Sequence, residues 1–87
     1  MAIAAFEDRA PDAPQVTDYD ERHHRTYWRL LDAAEENADW REVVQIIFGI
    51  DPVAEPERAR LVYDSHLARA RWMCEAGYRH YLPPDQS

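Results

Sequence analysis

The sequence predicts a small all-α domain, with three main helices in a helix-turn-helix-like arrangement and a flexible N-terminal arm. Three observations predict it. Apolar residues recur at helical spacing in three separate segments, around Tyr27–Ala34, Trp40–Ile47 and Ala59–Met73. Gly49, Pro52 and Pro56 place a sharp turn between the last two, a layout of helix, Gly-containing turn and helix. No segment alternates convincingly with the period of two that a half-buried strand requires. The expected organisation is an arm over 1–16, the helical domain over 17–82 and a tail over 83–87.

The arm, with Pro11 and Pro14 among small and acidic residues, reads as mobile chain. The first helix is expected over Thr17–Asn37. Thr17 or Asp18 can cap it, and Asp20 and Glu21 suit its first turn, where the helix dipole favours acids. Tyr27, Leu30, Leu31 and Ala34 form its buried stripe, with Trp28 at the edge. Arg22, Arg25 and Arg29 follow at i, i+3 and i+7 as a solvated basic row.

The second helix is expected over Asp39–Phe48. Asp39 is a good N-cap, and Glu42 can close a capping box. Trp40, Val43, Val44 and Ile47 make its main stripe. Ile46 and Phe48 lie off that stripe, which predicts cover on more than one side. Gly49 suits a left-handed cap, with Ile50 folding back onto Val44. Pro56 suits the first turn of the third helix, expected to run to about Ala76. There Ala59, Tyr63, His66, Leu67, Ala70 and Cys74 face one way, with Val62 and Met73 beside them. The expected core is therefore Tyr27, Leu30, Leu31, Trp40, Val43, Val44, Ile47, Tyr63, Leu67 and Ala70.

At 87 residues and 46% hydrophobic content the chain has one small core, marginal enough that a partner could add stability. No apolar run approaches the roughly 20 residues of a membrane span. The N-terminus lacks the positive region of a secretory signal. The lone Cys74 has no internal disulfide partner, which fits a reducing cytoplasm. Net charge is −7, unlike a general polyanion binder. The charge is uneven: residues 1–55 carry five Arg against thirteen acids, and residues 56–87 carry five Arg against four. All basic residues are Arg, which favours planar, bidentate or stacked contacts.

Enzymatic chemistry finds no support. Adjacent His23 and His24 point about 100° apart on a helix, and there is no HxxxH, HExxH or CxxC spacing, so no metal is expected. Asp64, Ser65 and His66 splay to different faces of one helix and form no triad. Two glycines cannot make a phosphate cradle, and no cofactor is expected. Cys74 reads as a thiol filling the core.

The third helix carries Arg58, Arg60, Arg69 and Arg71, with Trp72 alongside. Three readings stay open. As a DNA-recognition helix, these arginines would meet phosphates or guanine edges, although Glu57, Asp64 and Glu75 share the helix. As a protein surface, Arg and Trp are common anchors, and mixed charge sets specificity. As a plain solvated face, Arg60–Asp64 and Arg71–Glu75 pair at i, i+4.

The stretches TDYDERHHRTYWRLLDA, ADWREVVQIIFGIDP and EPERARLVYDSHLARARWMCEAGYRHYL carry a resemblance over Thr17–Leu82. In them the chain resembles the QseM-type antiactivators. These are stand-alone members of the proteobacterial domain-of-unknown-function family found on integrative and conjugative elements. The resemblance implies a helix-turn-helix-like fold without enzymatic activity. It implies protein partners: a LuxR-type quorum-sensing activator (TraR-like) and an excision activator (FseA-like), sequestered so that conjugative transfer stays off. Some relatives carry the domain inside transcriptional activators, where it can meet DNA. No family motif fixes contact residues. Chemistry alone points to Arg69, Arg71, Trp72, Tyr78 and Arg79 as the partner-binding surface. The alternative is a sequence-specific DNA-binding regulator using Arg58, Arg60, Arg69 and Arg71, with DNA the less favoured ligand.

Overall fold

A computed structural model describes residues 6–75. It is all-helical, with α1 over Asp18–Arg22, α2 over His24–Glu35, α3 over Trp40–Phe48 and α4 over Pro56–Glu75, and no strand among the described residues. The expected first helix is thus two. His23, at φ −111° and ψ 15°, leaves helical geometry and separates α1 from α2. Its ring is buried and lies 4.2 Å from that of Tyr19.

Each boundary has a local cause. Thr17 caps α1 in a full capping box with Asp20. After α2, Asn37 takes positive φ (58°), and the Ala38 N–H reaches back to the Ala33 carbonyl at 3.0 Å. Asn tolerates that conformation better than most side chains. At α3 the Asp39 carboxylate accepts from the Arg41 N–H at 3.0 Å. Gly49 closes α3 at φ 72° with its N–H on the Gln45 carbonyl, and the Ile50 N–H reaches Val44. In the next turn Asp51 Oδ1 accepts from the Val53 and Ala54 N–H groups, and Pro56 opens α4.

α4 is the backbone of the fold: α2 and α3 both pack on it, and on each other. The main core joins Leu30, Val43, Val44, Ile47, Phe48, Ile50, Ala59, Val62, Tyr63 and Leu67. Tyr27, Ala70 and Met73 form a second cluster. Leu31 and Trp40 pack against the core half-buried rather than within it. Two expectations are corrected. Cys74 is exposed, so it does not fill the core. Ile46 is 72% exposed, so α3 is covered beyond its main stripe only at Phe48. Ile46 points away from α2 and α4 because they hold the opposite side of α3.

Residues 6–16 form no helix or strand, as an arm should, yet they lie along α4. Phe6 packs edge-on against Phe48 with centroids 5.0 Å apart. The Ala10 N–H donates to Ser65 Oγ at 3.1 Å, and Ala10 is buried.

Candidate nucleic-acid interface

Nine arginines lie among the described residues, and the fold sorts them. Arg69 is the most deeply placed. Its Nε donates to Asp20 Oδ1 at 3.0 Å and its Nη2 to Asp20 Oδ2 at 2.7 Å. Nη1 also donates to the Ala13 carbonyl at 2.7 Å and Nη2 to the Gln15 carbonyl at 2.9 Å. The guanidinium lies over the Trp72 ring, 4.0 Å from its centroid. Asp20 also accepts from the Tyr27 hydroxyl at 2.8 Å and from the Thr17 N–H and hydroxyl. A buried ion pair is tolerable when its polar atoms are satisfied in this way, and no buried side-chain polar atom among the described residues lacks a partner.

The electrostatics follow from that geometry. Burial pushes the Asp20 carboxyl up, but hydrogen bonds from Arg69, Thr17 and Tyr27, with the Arg69 charge, outweigh it and hold the carboxyl below its ordinary value. Burial, and then the Asp20 hydrogen bond and charge, push the Tyr27 phenol up. Beside this pair, His66 Nδ1 donates to the Val62 carbonyl at 2.8 Å, which leaves Nε2 to accept from the Tyr19 hydroxyl at 2.6 Å. Tyr19 in turn accepts from the Glu7 N–H at 3.0 Å. Burial holds the His66 imidazole below its ordinary value, against the Val62 hydrogen bond, which favours the protonated ring.

Three further arginines are paired at the surface. Arg58 meets Asp8 at 2.8 Å and Glu55 at 3.4 Å. Arg60 meets Asp64 at 2.9 Å and lies over the Trp40 ring. Arg41 meets Asp39 at 3.8 Å. By contrast, Arg9, Arg22, Arg25, Arg29 and Arg71 are exposed and pair with no carboxylate among the described residues.

The residues expected to bind a partner therefore separate. Arg69, expected on an exposed face, is 5% exposed and holds the fold together. Trp72 is half-buried beneath it, and Arg71 is exposed. Tyr78 and Arg79 lie outside the described residues. Of the four arginines expected for DNA, Arg58 and Arg60 carry acid partners, Arg69 is internal and only Arg71 is open. The solvent face of α4 alternates in sign: Glu57, Arg60, Asp64, Arg71 and Glu75.

The row Arg22, Arg25 and Arg29, expected as a solvated face, is exposed. A signal beyond its spacing is present in the sequence. Residues 22–31 contain no acid between Glu21 and Asp32. Residues 65–74 are equally free of acid, but there Arg69 is turned inward. Trp28, 44% exposed, lies one turn on from Arg25. α2 also starts without an acid in its own first turn.

No metal-ligating cluster occurs among the described residues, and no helix there is long and apolar enough to cross a membrane. Residues 2–82 match the family model of the RovC DNA-binding domain, described as a T6SS transcription factor DNA-binding domain. No curated protein matches the chain. The family match overturns the expectation that the partners are proteins, TraR-like and FseA-like activators, and that DNA binding is unlikely. The family it identifies is one of DNA-binding domains. Net charge averages over arginines that the fold treats differently.

Proposed function

Since the chain belongs to the family of RovC DNA-binding domains, we propose that it binds duplex DNA as a transcription regulator, without catalysis. The observation that carries this reading is the match itself, which runs over nearly the whole chain. The open arginines on α1 and α2 support it, because an acidic protein can still bind a polyanion through a local basic patch. The T6SS regulation named in the family's description is the regulatory context we assign to it.

The test is selection from a random-sequence duplex pool, followed by anisotropy titration of the enriched and the starting duplexes over a salt series. The expected result is an enriched motif, bound more tightly than the starting pool and losing affinity as salt rises. No binding to any duplex at low salt would remove the proposal.

A further inference from the structure

We infer that the exposed row Arg22, Arg25 and Arg29, with Trp28 beside it, is the surface that meets the DNA phosphate backbone, and that α4 is the scaffold behind it. This rests on the DNA-binding reading above and names its site.

The argument begins with which cations are available. A phosphate contact needs a guanidinium that is exposed and not already held by a carboxylate. On α4, Arg69 is enclosed by Asp20 and two arm carbonyls. Arg58 and Arg60 would each have to leave an acid at 2.8–2.9 Å. Arg71 alone is open, and it shares its face with Asp64 and Glu75. A duplex laid on that face would meet acids between its cations, which costs binding.

The α1–α2 row differs in each respect. All three arginines are exposed and none has a carboxylate partner among the described residues. The two on α2 are one turn apart, and Arg22 precedes them across the His23 break. Along α2, Arg25 and Arg29 are separated by roughly 6 Å of helical rise, within reach of neighbouring phosphates on one strand. Arg can clasp a phosphate with two parallel N–H donors. Trp28, 44% exposed, lies on the same helix between Arg25 and Arg29 in sequence. Glu21 and Asp32 bound the row at its two ends, so the contact is short.

A short footprint makes a numerical forecast. Three phosphate contacts give a slope of log affinity against log salt near −2.7, at about 0.9 per contact. The experiment uses the full chain and a labelled random-sequence duplex, because phosphate contacts do not depend on sequence. Wild type is compared with the double variant R25Q/R29Q and with R60Q/R71Q on α4. Far-UV circular dichroism checks that each remains helical. The expected result is a slope flattened by about 1.8 in R25Q/R29Q and unchanged in R60Q/R71Q.

If wild type binds but R25Q/R29Q keeps the full slope, this surface is wrong while DNA binding stands. If R60Q/R71Q alone flattens the slope, α4 is the contact helix and the inference is overturned. If wild type binds no duplex, the DNA-binding reading and this one both fall. If R25Q/R29Q loses affinity for poly-glutamate but not for the duplex, the row serves an acidic protein instead, which also overturns it.

Discussion

Arg69 and Arg25 are the same residue type on packed helices, yet they do opposite work. Arg69 is 5% exposed, and the polar atoms of its guanidinium meet Asp20, Ala13, Gln15 and the Trp72 ring. Arg25 is exposed and pairs with no carboxylate among the described residues. In the first region a cation is consumed in joining the arm and α1 to α4. In the second a cation stands exposed with no carboxylate partner among the described residues. A count of arginines along the chain cannot separate the two, because the difference lies in what surrounds the guanidinium.

The comparison can be broken most directly at Arg69. Replacing it by Ala strands the Asp20 carboxylate in the interior. A broken buried pair typically costs about 3–5 kcal/mol, a large part of the stability of a small domain. Urea unfolding of Arg69→Ala should show that loss as a lowered midpoint. A loss below about 1 kcal/mol would place Arg69 with the dispensable surface charges. Tyr27→Phe is a sharper, smaller cut, since it removes one hydrogen bond to Asp20 and little else. A bond to a charged acceptor is worth about 1.5–3 kcal/mol.

The same region should make the fold sensitive to acid. His66 has its folded value below the ordinary imidazole value of about 6.5. The unfolded chain therefore binds this proton first. Stability is complete above that pH and declines as pH falls from it toward the folded value. Asp20 acts in a lower window. Its folded value lies below that of a free carboxyl, so its contribution is present above about pH 4 and is lost as pH falls through the folded value. Urea midpoints should be level above neutrality and fall on going to mildly acidic buffer. A fall that persists unchanged in His66→Gln would assign the first window to another group.

The smallest effect belongs to the other half of the comparison. Arg25→Gln and Arg29→Gln should each change the unfolding free energy by less than about 0.5 kcal/mol, as surface substitutions usually do. A large loss would show that the row is structural and would dissolve the contrast with Arg69.

By itself the sequence determined the helices, the turn and most of the core. Those depend on local chemistry. Gly49 is the residue that accepts φ 72° without strain, Asp39 and Thr17 cap the nearest free N–H groups, and apolar spacing puts Leu30, Val44, Ile47 and Leu67 on inward faces. The resemblance to QseM-type antiactivators was not borne out: the family match is to DNA-binding domains of a transcription factor. Only the tertiary structure decided which charges are free. Arg69 lies forty-nine positions from Asp20, and Arg58 lies fifty from Asp8. No periodicity reports a contact made across such distances. The break at His23, the seat of Phe6 against Phe48 and the exposure of Cys74 were hidden for the same reason. Each follows from how α1, α2 and the arm close over α4, and that closure is fixed by packing between residues remote in the chain.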